Sequence, residues 1–252
     1  MTKDIKNVFE KRFETYGMIL AKMKTSRRIY MLGTAHRSFL WKEAVSYDFY
    51  SVTNRCDLDL KIILSNPFCE QFVRRALIEE KNRLPSTISG QEFVETSVAV
   101  SDIKQSMSSI KEKLFFCKSD KKDIVNRKER ISKTVRFSND FPLMWLIITD
   151  DYAFFQPYQY GNLENKPIMG ENFFVLQIKP GNIYDRLVDH FNFLWDAKER
   201  EHSVCSFYEI DNMMFPSNIG IEKISDVLKE INEFDKRTCS SNSLDPCIEN
   251  KK

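Results

Sequence analysis

Apolar residues recur at two periods along this chain, and the change from one to the other separates helices from strands. Ile5, Val8, Phe9, Phe13, Tyr16, Leu20 and Met23 fall at spacings near three and four, which predicts an amphipathic helix over residues 3–24 with Lys and Glu outward. The run Ile29 to Leu32 stops at Gly33 and reads as a short buried strand, and Leu58 to Leu64 reads as a second. Between them Ser38 is placed to cap a helix carrying Phe39, Leu40, Ala44 and Val45. Asn66-Pro67 signals the start of the next helix, whose apolar face is Phe72, Val73, Ala76 and Leu77. Strand, helix, strand, helix in this order implies parallel pairing.

Residues 86–118 are rich in Ser, Gln, Lys and Glu, yet Val100, Ile103, Met107, Ile110 and Leu114 repeat at helical spacing. Such a stripe either closes the core or forms a seam for another chain. A net-basic connector, Lys118 to Lys133, is read as a solvated surface, with a phosphate-binding patch as the other use of its charge. Thr134 to Phe137 alternates as an edge strand would. Two apolar runs, Leu143 to Thr149 and Tyr152 to Phe155, flank Asp150-Asp151 and predict two buried strands joined by an acidic turn. Another strand is expected over 172–178, and Pro180-Gly181 precedes a helix with Tyr184, Leu187, His190, Phe191 and Trp195 on one face. The last helix spans 221–234, and the tail from Asp235 lacks periodicity and is expected to be disordered.

The fold class expected from this order is α/β, a mixed and mainly parallel sheet flanked by helices. Residues 1–26 are assigned to an N-terminal helix, 27–202 to the α/β domain, 203–234 to a C-terminal helical extension and 235–252 to the tail. Composition narrows the function. The 252 residues carry Lys+Arg 38 against Asp+Glu 36, a net charge of +2, so the molecule lacks the strong basic field of many nucleic-acid-binding proteins. The sequence contains no long uninterrupted apolar span, and Met1-Thr-Lys-Asp lacks a signal-peptide core, so a cytoplasmic location and no transmembrane segment are expected. Six scattered cysteines without a Cys-x-x-Cys pair imply reduced thiols and no metal site. Seven glycines argue against a glycine-rich nucleotide loop, and no cofactor is expected.

The segment Leu143 to Tyr158 carries a family resemblance. The phospholipase D-like superfamily has His-x-Lys-x-x-x-x-Asp on such a strand, followed by an aromatic strand and Gly-Ser-x-Asn. Asp150 matches the family aspartate, whereas Leu143 stands at the histidine position, Trp145 at the lysine position and Pro157-Tyr158-Gln159-Tyr160 where Gly-Ser-x-Asn would lie. Residues 27–200 resemble one repeat of that domain, and Tyr184 to Trp195 is similar to a closing helix of bacterial members whose motif has decayed. The resemblance implies the fold, and a homodimer, because one-repeat members generally pair. It also implies lost chemistry, since leucine cannot attack phosphorus and tryptophan cannot neutralise a phosphate.

Gly33 to Ser38 follows the first predicted strand, where open α/β sheets place ligands. Thr34, His36, Arg37 and Ser38 are therefore candidate ligand residues, with Ser65 and Asn66 at the end of the neighbouring strand. Asp150, Tyr158 and Tyr160 complete the set; the tyrosines are candidates for stacking on a base. His36 is the catalytic candidate among three histidines, His190 reads as a core or interface residue, and His202 as exposed. The expected function is a degenerate phospholipase D-like module binding a phosphorylated small molecule or nucleic acid. The alternatives are a metal-independent phosphodiesterase or nuclease using His36, and a protein-partner component of a toxin-antitoxin or defence system using the Val100 to Leu114 stripe.

Overall fold

The computed structural model describes residues 3–55, 57–80, 83–85, 88–115, 121–140, 144–158, 162–163, 166–167, 173–196, 204–214 and 219–241. The chain opens with strand β1 (Ile5–Phe9), a 3-10 turn (Arg12–Thr15) and helix α1 (Tyr16–Thr25). Strand β2 (Arg28–Leu32) leads to α2 (Arg37–Leu40) and α3 (Glu43–Thr53), and β3 (Asp59–Ser65) to α4 (Glu70–Glu79), α5 (Gly90–Thr96), α6 (Val98–Lys113) and α7 (Lys121–Thr134). Then follow β4 (Val135–Ser138), β5 (Met144–Ile148), β6 (Ala153–Pro157), the two-residue strands β7 (Asn162–Leu163) and β8 (Lys166–Pro167), and β9 (Val175–Ile178). Helix α8 (Asn182–Trp195), β10 (Val204–Ser206), α9 (Phe207–Met214) and α10 (Ile219–Ser241) complete it.

Eight strands form one mixed sheet in the order β1-β9-β6-β5-β2-β3-β4-β10. Helices cover both faces, as the α/β class requires. The period-2 geometry of each strand splits its side chains between two apolar layers. Met31, Ile62, Ile147 and Phe154 point into the larger layer, packed under helices including α1, α3, α4 and α6. Tyr30, Leu32, Ile63, Leu146 and Ile148 point the other way, against Tyr184, Phe191 and Trp195 of α8. Because both faces are buried, β2 and β5 read in the sequence as continuous apolar runs.

Several expectations are corrected by this arrangement. Residues 3–24 are not one helix: Ile5–Phe9 pairs antiparallel with β9, and only Tyr16–Thr25 is helical, burying Ile19, Leu20 and Met23. Sheet pairing gives the backbone of β1 its partners, and this tertiary gain overrides the local three-four spacing. The sheet is mixed but not mainly parallel, since only β2-β3 and β3-β4 pair that way among its seven pairings. Strand β4 is not an edge, because β10 pairs with it. Ser38 does not cap a helix; the cap position of α2 is His36, in the left-handed region at φ 46°. Asn66 likewise does not begin α4, whose cap is Cys69; its Oδ1 accepts from the Phe68 amide at 2.9 Å, a local turn that competes with the helix start. Helix α10 continues to Ser241, past the expected onset of the disordered tail, and residues 242–252 lie outside the described residues.

The Val100 to Leu114 stripe belongs to the core. Val100, Ile103, Met107, Ile110 and Leu114 are fully buried within the chain, so they are not a seam for another protein. Ile103→Ala is therefore expected to cost about 2–5 kcal/mol of folding stability, as cavity-forming core truncations do. Urea unfolding of the two proteins measures it; an unchanged midpoint would place Ile103 outside the core.

Candidate functional site: an arginine-lined cavity beyond β2

Strand β2 ends where the chain must turn over the sheet, and the turn is tied down on both sides. The Gly33 amide donates to the Ile63 carbonyl at 3.1 Å, the Ser65 amide to the Thr34 carbonyl at 3.1 Å, and Ser106 Oγ to the Ala35 carbonyl at 2.7 Å. Tyr158 OH accepts from the Thr34 amide at 3.0 Å. A Cβ on Gly33 would lie 3.0 Å from His36 Nε2 and 3.1 Å from Tyr158 OH, so glycine is what lets both rings lie this close to the backbone.

A cavity of about 250 Å³ opens beside this turn. Five of the nine residues marked out in the sequence line it: Thr34, His36, Arg37, Ser38 and Tyr158. The rest of the wall comes from elements far apart in sequence, with Arg12, Arg75, Glu79, Asp102 and Trp145 among its residues. Three guanidinium groups are held in a common manner, each near an aromatic face and a side-chain acceptor. Arg12 lies 4.8 Å from the Trp145 ring centroid and donates from Nε to Gln156 Oε1 at 2.6 Å. Arg75 lies 4.6 Å from the Tyr158 ring and is paired with Glu79, one helical turn on. Arg37 lies 5.8 Å from the Trp41 ring and 3.5 Å from Asp102. Stacking and ion pairing fix the planes of these forks, which suits them to oxyanion recognition.

Glu80 also lines the cavity, but its carboxylate is committed to the start of α6. It accepts from Ser97 Oγ at 3.0 Å and from the amides of Val98 at 2.8 Å and Ala99 at 3.0 Å. Negative charge is stabilised there by the open amides and the helix dipole. Burial pushes the Glu79 carboxyl above its ordinary range, against the opposing pull of Arg75. Tyr16 OH and Ser38 Oγ share a hydrogen bond of 2.8 Å. Helix α2 has only four residues, so its dipole adds little to the site.

His36 is 5% exposed, and both ring nitrogens are buried without a hydrogen-bond partner; so is Thr34 Oγ1. Each such group costs on the order of 1–3 kcal/mol of lost hydration, which a bound ligand or water ordinarily offsets. Burial first, and the neighbouring Arg12 second, hold the His36 pKa down at about 3. The imidazole is neutral throughout the physiological range.

The remaining expected residues do not join the cavity. Ser65 is fully buried and meets the turn only through its backbone amide, while Asn66 faces Asn139 at 2.6 Å and Cys205 at 3.7 Å. Asp150 lies beyond the other end of β5, where it accepts from the Arg27 amide at 2.7 Å, and Asp151 pairs with Lys22 at 3.1 Å. Asp150 ties the β5-β6 turn to the start of β2, and Asp151 ties it to α1. Tyr160, Leu143 and His202 lie outside the described residues. His190 is exposed on α8 and not a core histidine, because the buried positions of that helix are Tyr184, Phe191 and Trp195. Among the described residues no acid, His and Cys cluster could hold a metal ion, and no helix is long and apolar enough to cross a membrane.

No protein-family model matches the chain, and no curated protein does. Several solved chains resemble it, two of them weakly, as follows. One is TrmBL2, an archaeal chromatin protein with a novel mode of DNA binding, at 14% identity and a TM-score of 0.38 over 77% of this chain and 52% of that one. The other is phosphatidylserine synthase from Haemophilus influenzae Rd KW20, at 10% identity and a TM-score of 0.43 over 90% of this chain and 43% of that one. The chain spans about half the length of either. The functional reading rests on the cavity and not on these likenesses.

Depression of the His36 pKa links folding to pH. The unfolded chain takes up this proton near pH 6.5 and the folded protein near 3, so the contribution is complete above 6.5 and is lost as pH falls through that window. The linkage removes about 2.5 kcal/mol between pH 7 and 4.5. Urea unfolding of the native protein and His36→Phe at both pH values should show the variant losing less by that margin; parallel losses would mean that His36 is hydrated in the folded state.

Proposed function

We propose that this chain is a phospholipase D-like module without the family's phosphodiester chemistry, binding a phosphorylated ligand in the cavity beyond β2. One observation carries the reading: Arg12, Arg37, Arg75 and Arg83 line a single cavity whose wall includes Trp145, the residue standing at the family's lysine position. Arg12, lying over Trp145, supplies a positive charge beside the ring that replaces the lysine. Pairing of two such chains, as in one-repeat family members, belongs to the same proposal.

The rival role for His36 as nucleophile finds less support. A catalytic histidine is oriented by a partner on its second nitrogen, which also stabilises the charge that develops on the ring. No side chain bonds either His36 nitrogen, the Leu32 backbone only weakly favours charge on the ring, and burial and Arg12 oppose it. A nucleic-acid ligand has the modest net charge of +2 against it.

Hydrolysis of an aryl phosphodiester and of labelled DNA and RNA in excess chelator, by the native chain and by His36→Ala, tests the loss of chemistry. Both proteins should give the buffer rate. Turnover that depends on His36 would replace the binding module with a rebuilt active site.

A further inference from the structure

We infer that the cavity takes the terminal phosphate of a small monoester, which narrows the ligand class of the proposed function and rests on that reading. Of the four arginines that line the cavity, the three held against aromatic rings arrive from three separate elements: Arg12 from the turn after β1, Arg37 from α2 and Arg75 from α4, with Arg83 beyond the end of α4. A monoester offers three unesterified oxygens to donors approaching from different sides, whereas a diester offers only two.

Charge points the same way. Arg37 and Arg75 already face the carboxylates of Asp102 and Glu79, each a single negative charge. A phosphodiester, also singly charged, gains little by displacing either. A monoester carries nearly two charges at neutral pH and competes successfully for the same forks. Size adds a third constraint. A volume of about 250 Å³ lies at the small end of ligand sites and suits a compact metabolite, the open side of the cavity leaving the rest of a ligand in solvent. The unpartnered Thr34 hydroxyl and neutral His36 ring at the same wall supply polar groups without further charge, so the monoester is not required to be more than doubly charged.

Calorimetric titration with ribose 5-phosphate, dimethyl phosphate and a short single-stranded DNA lacking terminal phosphates tests this. Ribose 5-phosphate should bind with unit stoichiometry, dimethyl phosphate about tenfold or more weaker, and the DNA should not compete. Arg12→Gln and Arg75→Gln should each weaken ribose 5-phosphate about tenfold with unfolding midpoints near native, while Arg186→Gln, on the exposed side of α8, should leave it unchanged. Equal affinity for dimethyl phosphate, or competition by the DNA, overturns the monoester assignment and leaves the wider binding function standing. If the folded native protein binds none of the three, both fall.

Discussion

Strand β2 is hydrogen-bonded along both edges, to β3 in parallel and to β5 antiparallel, and buried on both faces. Nothing in the cavity would be placed without it. The parallel neighbour brings Ile63 and Ser65 level with the end of the strand, where their backbone groups bind Gly33 and Thr34. The antiparallel neighbour brings the beginning of β5, and so Trp145, to the same end, and sends Asp150 to the opposite one. One strand direction thus decides which residues of the acidic-turn hairpin can meet a ligand.

The cavity derives its character from arginines that are already partly satisfied. Stacking over Trp145, Tyr158 and Trp41, with ion pairs or amide bonds at the edges, spares each guanidinium the cost of burial and fixes its plane. The resident acids keep the space close to neutral when it holds only water. On the proposed reading, a ligand has to displace an existing partner at Arg37 and at Arg75, and that requirement makes the site selective.

The turn at one end of the site was legible in the sequence because a buried run that stops at glycine, followed by polar residues, marks the carboxyl end of a strand. Tyr158 was marked in the sequence only as an aromatic able to stack on a base, and its place beside the turn comes from β6 returning to that end of the sheet. Arg12, Arg75, Glu79 and Asp102 were not. They come from three separate neighbourhoods of the chain, Arg75 and Glu79 sharing α4, and helical periodicity assigns such residues to solvent. Arg75 and Glu79 are spaced as any exposed i,i+4 pair would be; only the packing of α4 beside Tyr158 turns them inward. Asp150 illustrates the reverse, since its spacing from Trp145 matches a reactive motif while its carboxylate accepts from the Arg27 amide before β2, at the far end of the sheet from the cavity. Strand β1 was lost because its partner lies so far along the chain that no local pattern could register it.

That distance has a bearing on how the protein comes to be made. Asn7 of β1 bonds Gln177 of β9 across 170 positions, and Arg12 reaches Gln156 across 144. A chain emerging from the ribosome amino end first exposes the strand and the arginine long before their partners exist. The sheet can assemble from β2 onward while the first fifteen or so residues wait, and the long loop so closed makes their docking a late and slow contact. The wall that carries Arg12 therefore takes shape only once β6 and β9 exist, and it depends on contacts made across most of the chain.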